Sequence, residues 1–236
     1  MSQTELHTAA EEGDYDECLS LIKAGFNVNL RSDHKWTALI LASKKGHTNI
    51  VKLLLENGAN VHAIRGYGWK KQWTALHYAA VRGHADVCLM LIEKGADIKK
   101  QVRRGYTALM LASQNGHTDV TKLLVEKNGN VHAANSFGWT VFGHAVRGGH
   151  VDTCSLLIDK SVDVNKQTIF EETALMLASE RGFTNIVKLL LENGADVHAT
   201  RKYGRDQKQW TALHYAAIRG HVDICSMLID KGTNIN

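Results

Sequence analysis

One stretch of this chain occurs twice in nearly the same form, as Trp73-Thr-Ala-Leu-His-Tyr-Ala-Ala-Val-Arg-Gly-His84 and Trp210-Thr-Ala-Leu-His-Tyr-Ala-Ala-Ile-Arg-Gly-His221. Weaker copies begin at Thr37, Thr107, Thr140 and Thr173, and a reduced one at Thr4. Most successive copies lie about 33 residues apart, with two intervals about four or five residues longer, and a fixed period of that order is the signature of stacked repeats. In such a stack each unit packs on its neighbours, so the usual relation between length and domain count does not apply.

The second copy shows what each unit is built from. Thr37 suits a helix N-cap, because its hydroxyl can accept from an otherwise orphaned backbone amide. Ala38, Leu39, Leu41 and Ala42 predict a short helix with small residues for close packing, and Gly46 supplies a left-handed C-terminal turn. Thr48 is placed as the cap of a second helix whose stripe is Ile50, Val51, Leu53, Leu54 and Leu55. Gly58 ends that helix, and Asn60-Val61-His62 enters a hairpin-like loop. Helices this short are marginal alone, so stacking must stabilise them.

The unit therefore reads Thr-x-Leu-(His)-x-Ala-(Ala/Ser)-x-x-Gly-His, an apolar helix, then Gly-Ala-(Asn/Asp)-Val. That pattern closely resembles the ankyrin repeat, over nearly the whole chain. The resemblance implies an all-α ankyrin-repeat solenoid of about seven helix-turn-helix units with hairpin-like loops. The repeats would form a single array over residues 1–236, at approximately 4–33, 34–70, 71–103, 104–136, 137–169, 170–207 and 208–236. Even repeats resemble each other, and odd repeats share a cysteine in the second helix, so the building block reads as a repeat pair.

Three departures from the family pattern stand out. The chain has no proline, and the family's usual Thr-Pro-Leu-His appears as Thr-Ala-Leu. Proline at the first helical position pre-sets the backbone, so alanine there costs on the order of 1 kcal/mol or less. In repeat 5, Val141-Phe142-Gly143-His144 reads as a degraded helix, and Ser161 replaces a terminating glycine at a cost of about 1 kcal/mol. Repeat 5 is expected to be the softest. Repeat 1 is polar enough to be a cap, which makes Met1 a natural start. The sequence stops at Asn236 without a polar capping repeat, and Ile218, Met227 and Ile229 suit a surface that takes another layer. Repeat 7 is then an imperfect cap or the natural chain continues.

The 236 residues carry a net charge of +4. No apolar run is long enough to cross a membrane, and the N-terminus lacks a signal peptide's basic start and apolar core. The expected location is intracellular, cytoplasmic or nuclear. Cys18, Cys88, Cys154 and Cys225 occupy equivalent places in alternate repeats, which puts them roughly 20 Å apart. Disulfides need Cα atoms within about 7 Å, so these thiols read as small buried hydrophobes.

No Gly-rich phosphate loop, Gly-x-Ser-x-Gly or His-Glu-x-x-His is present. His47, His84, His117, His150 and His221 each follow the first-helix glycine, where the resemblance implies support of the turn. His62, His132 and His198 recur too far apart to share an ion. His84/Cys88, His150/Cys154 and His221/Cys225 lie four apart on one helical face, yet lack further ligands. The reading is a non-enzymatic chain with no catalytic residue, metal or cofactor.

What remains is a surface. The resemblance implies partner contacts at hairpin tips and on first helices, lining a concave groove. Trp36, Trp73, Tyr106, Trp139, Glu172 and Trp210 precede the helix-1 threonines, making an almost continuous aromatic stripe, and large rings are favoured binding anchors. Two hairpins carry insertions that add Tyr67, Trp69, Lys70 and Lys71, and Tyr203, Arg205 and Lys208. Arg103 and Arg104 lie between them, and Arg82 and Arg219 end first helices. Positive charge collects on the hairpins, while acids cluster at second-helix ends. Such a field speeds capture of an acidic partner. The expected function is a protein-interaction scaffold that binds a protein with an acidic surface or segment in a basic, aromatic groove. The alternative is a nucleic-acid or nucleotide ligand held by the same cations and rings. No membrane contact is expected, and the chain reads as a monomer whose last repeat leaves self-association open.

Overall fold

The computed structural model describes residues 4–66, 72–203 and 208–232. Among these residues the chain forms fourteen α-helices in seven successive pairs, and one two-stranded sheet. The pairs are α1 (Glu5–Glu12) and α2 (Tyr15–Lys23), α3 (Ala38–Lys45) and α4 (Thr48–Glu56), α5 (Ala75–Arg82) and α6 (Ala85–Glu93), and α7 (Ala108–Gln114) and α8 (Thr118–Glu126). They continue as α9 (Val141–Gly148) and α10 (Val151–Ile158), α11 (Ala174–Arg181) and α12 (Thr184–Glu192), and α13 (Ala212–Arg219) and α14 (Val222–Asp230). The sheet is the antiparallel pair β1 (Arg201–Tyr203) and β2 (Lys208–Trp210), with Arg201 opposite Trp210. Three other hairpins close with single antiparallel bridges, Ile64 with Thr74, Val102 with Tyr106 and Ala134 with Thr140.

The chain divides into two compact units, Met1–Ala112 with Asp119–Gly129, and Ser113–Thr118 with Asn130–Asn236. Within the first, α1 packs on α3 and α3 on α5, while α2 packs on α4 and α4 on α6. Within the second, α9 packs on α11 and α11 on α13, with α10, α12 and α14 behind them in the same order. First helices are held close by alanines: Ala42, Ala79, Ala80, Ala112, Ala145 and Ala178 are completely buried.

The helix starts follow the threonines. Thr37 accepts from the amide of Ile40 at 3.3 Å, and Thr107, Thr140 and Thr173 accept from Met110, Gly143 and Met176 at 3.1–3.2 Å. Repeats 3 and 7 add a histidine to this cap. The hydroxyls of Thr74 and Thr211 meet Nδ1 of His77 and His214 at 2.8 and 2.9 Å, and the threonine amides donate to the same nitrogens. Thr48 does not act as a cap. It is the first residue of α4, His47 takes the N-cap position, and the Thr48 hydroxyl donates to the Gly46 carbonyl.

Four of the histidines that follow a first-helix glycine join one repeat to the previous one. Nε2 of His47, His84, His150 and His221 lies 3.1–3.3 Å from the carbonyls of Glu11, Lys44, Gln114 and Glu180, the residues near the ends of the preceding first helices. The ring also lies flat against the preceding glycine. A Cβ on Gly46 would stand 2.6 Å from the His84 ring, and one on Gly182 would stand 2.7 Å from His221. These glycines are thus required both for their positive φ, 82° and 73°, and for room.

In repeat 5 Ser161 takes φ 57° where a terminating glycine stands in most repeats, as Asn128 takes φ 66° at the same place in repeat 4. Gly143 of repeat 5, which reads from sequence as decay, has a packing reason. A Cβ there would lie 2.5 Å from the Trp139 ring, so the glycine makes the space into which that indole folds.

Candidate functional site

The aromatic stripe separates into rings at the surface and rings in the core. Trp36, Tyr106 and Trp210 are half-exposed. Trp73 and Trp139 are only 3% and 8% exposed, which corrects the expectation that every ring of the stripe faces a partner. Trp73 packs on Tyr78 with centroids 5.1 Å apart, and Trp139 covers Gly143. The Trp139 ring turns inward because Gly143 leaves room for it. Tyr67, Trp69, Lys70, Lys71 and Arg205 lie outside the described residues, as does the side chain of Tyr203, whose backbone belongs to β1.

The described cations stand where the sequence puts them. Arg82, Arg103, Arg104 and Lys208 are exposed, and Arg104 adopts φ 66° in the tip Arg103–Gly105. Acids interleave with them on the first-helix ends. Glu11 lies 3.1 Å from Lys44 and 3.9 Å from Lys45, and Glu180 pairs with Arg219 at 2.6 Å. Arg219 is thus neutralised within its own unit.

Two corners built from equivalent residues carry the most developed chemistry. In the first unit, the Tyr78 ring lies between Trp36 and Trp73, at 5.2 and 5.1 Å. The Arg65 guanidinium sits 4.2 Å above the Trp36 ring and donates to the Tyr78 hydroxyl at 3.3 Å, and Lys44 Nζ lies 5.2 Å from the same indole. In the second unit, Trp210 packs on Tyr215 at 5.3 Å, and Arg201 pairs with Glu172 at 3.5 Å. Glu172 takes the place that Trp36 has in the first corner. Burial pushes its carboxyl above the usual range, with Arg201 opposing that shift. Burial likewise raises the Tyr78 hydroxyl, against Arg65.

Sequence reasoning missed an apolar tip. Ile169 and Phe170 are 64% and 53% exposed, and Phe170 stacks on Phe137 with centroids 6.5 Å apart. The Ile169 amide donates to the Phe137 carbonyl at 3.0 Å, tying the two hairpins together. The signal was the apolar pair Ile169-Phe170 at a hairpin tip that holds Asp33-His34 in repeat 2 and Arg103-Arg104 in repeat 4. In repeat 7, Ile218, Val222 and Ile229 are exposed at 65%, 71% and 43%.

Two of the three histidine–cysteine pairs carry a buried thiol. Cys88 and Cys154 are fully buried, and that burial pushes both thiols up to about 12. Cys18 rises to about 11, from burial and then from Asp14 and Glu17. Such thiols stay protonated and unreactive at neutral pH. Among the described residues no group of three or more His, Cys, Asp or Glu could hold a metal ion, and no helix is long and apolar enough to cross a membrane. The described clefts are small, such as one of about 220 Å³ lined by Val131, His132, Thr140, Val162, Asp163 and Lys166, below the usual range for ligand pockets.

Threonine-capped helix pairs, left-handed glycines and hairpins, repeated along the chain, define a class: helical repeat proteins. The particular family follows from comparison. The family model for ankyrin repeats, in three copies, matches residues 6–102, 99–168 and 161–236, and the chain belongs to the ankyrin repeat family. It is similar to the ankyrin repeat domain of human ASB11, with a TM-score of 0.83 and 26% identity over 98% of this chain and 99% of that one. It also shows 40% identity over 70 residues with the glycerophosphocholine phosphodiesterase gde1 of Schizosaccharomyces pombe (strain 972 / ATCC 24843). That match covers 29% of this chain and spans only 6% of the relative's length. Ankyrin repeats are in general protein–protein interaction modules, and their fold is typically non-enzymatic.

Proposed function

We propose that this chain is a non-enzymatic interaction module that captures a protein with an acidic surface or segment. The observation that carries the reading is the set of exposed cations at hairpin tips and first-helix ends, Arg82, Arg103, Arg104 and Lys208, beside half-exposed Trp36, Tyr106 and Trp210. Cations steer an acidic partner into encounter, and amphipathic rings hold it after docking. Exposed Ile169 and Phe170 add a separate apolar tip in the second unit, where an apolar side chain of the partner would bury area. We further propose that the repeats serve this role as one array inside the cell, in the cytoplasm or nucleus.

The test is affinity capture from a lysate, with nuclease present, comparing the wild type with Arg103→Glu/Arg104→Glu and with Ile169→Ser/Phe170→Ser. An acidic protein that both variants lose, and that raised salt weakens, supports the reading. Recovery of nucleic acid that nuclease removes would replace it, because phosphates would then be what the cations hold. Equal recovery by all three baits would show that the named residues take no part.

A further inference from the structure

The two equivalent corners differ in one respect that points to a ligand. Arg65 and Arg201 both sit at the foot of a hairpin, Arg65 donating its amide to the Trp73 carbonyl at 2.9 Å and Arg201 pairing with Trp210 across the sheet. Both approach the tyrosine of the next first helix. Arg201 finds a carboxylate in its own unit, since Glu172 lies 3.5 Å away. Arg65 finds an indole instead, because Trp36 occupies the Glu172 position, and among the described residues no carboxylate pairs with it. Its Nε is shielded and without a hydrogen-bond partner. Its side chain stays half-exposed.

A guanidinium stacked on an indole is held flat, with its fork geometry preserved for a carboxylate. The charge around it is also positive. Lys44 reaches the same indole, and exposed Arg31 donates to the carbonyl of Ile64, the residue before Arg65, at 2.8 Å. Glu11 pairs with Lys44 and Lys45, and among the described residues it bonds neither Arg31 nor Arg65. We infer that the Trp36–Arg65 corner is a docking site for a glutamate or aspartate side chain of an acidic protein segment, which takes the role in the first unit that Glu172 plays within the second. This rests on the acidic-partner reading above and assigns it a single anchoring point. Charge-assisted pairing to a pre-oriented arginine accounts for the affinity, and the indole beneath excludes water from one side.

The internal counterpart suggests the experiment. The full chain is titrated at low salt with a fluorescein-labelled peptide of alternating glutamate and serine, and with its glutamine counterpart as control. Trp36→Glu installs the carboxylate that repeat 6 already has, and is expected to weaken binding about tenfold or more. Arg65→Gln is expected to do the same, and it carries the comparison should Trp36→Glu fail to melt cooperatively. The reciprocal change, Glu172→Trp, removes the internal carboxylate and is expected to add a second bound peptide per chain. Undiminished binding by a folded Arg65→Gln variant overturns the assignment. If that variant binds normally while Arg103→Glu/Arg104→Glu does not, the anchor lies elsewhere and the acidic-partner reading stands. A wild type that binds the glutamate and glutamine peptides equally would overturn both.

Discussion

Repeats 3 and 7 share nearly the same helix-1 sequence and live in different surroundings. In repeat 3, His77 is completely buried, and its Nε2 lies 3.3 Å from the carbonyl of Lys100 in the following hairpin. In repeat 7, His214 keeps the same bonds to Thr211 and yet is exposed. Trp73 is 3% exposed, while its counterpart Trp210 is half-exposed. The local cap is encoded by the repeat itself, whereas the burial of its side chains is supplied by whatever packs on the next face. Identical residues therefore carry different stability and different chemistry.

The largest expected difference is at the two tryptophans. Trp73→Ala should cost about 3–5 kcal/mol, as for a buried aromatic, and Trp210→Ala less than half of that, both read from urea unfolding. Equal losses would show that the two corners are energetically alike. Next come the histidines. His77→Ala leaves the Lys100 carbonyl and the Thr74 amide without this partner, for about 1–3 kcal/mol. His214→Ala loses only a cap, about 1 kcal/mol or less.

The buried histidines predict a pH dependence. Burial lowers His77 to about 4, and burial with Arg147 nearby lowers His144 to about 4 as well. The unfolded chain, with histidine near 6.5, binds more protons than the folded chain between those values. Stability is therefore full above about pH 6.5 and falls as the pH drops towards about 4. The urea midpoint should decline over that window, and His77→Gln should flatten the decline. The smallest effect concerns the third odd repeat. Ser161→Gly relieves a left-handed serine, stabilising by about 1 kcal/mol, a melting shift of about 2–4 °C. If repeat 5 is the softest, its helix amides should also exchange fastest before the change and slow after it.

Much of the fold was legible because its determinants are local. Thr37, Gly46 and Gly58 act within one turn of their own position, and a cap or a left-handed turn depends on few neighbours. The linking role of His47, His84, His150 and His221 was legible as support of a turn, but the carbonyl each ring reaches lies about a repeat earlier, beyond any local pattern. The candidate site was less legible. Exposed cations such as Arg103 and Arg104 were correctly placed at a tip, since charge stays hydrated wherever the chain allows. The aromatic stripe was misjudged at Trp73 and Trp139, because a tryptophan is equally suited to a core and to a surface.

By itself, then, the sequence determined the repeat, threonine caps such as Thr37, left-handed positions such as Gly46 and Ser161, and the exposure of cations such as Arg103. Each is set by backbone conformation, by period, or by the cost of dehydrating an ion. Only the tertiary structure decided which rings are buried, that Gly143 makes room for Trp139, that Glu180 neutralises Arg219, and that Arg65 stacks on Trp36 while Arg201 meets Glu172. Those outcomes depend on the space and the charges that one repeat presents to the next, and residues distant in sequence supply both.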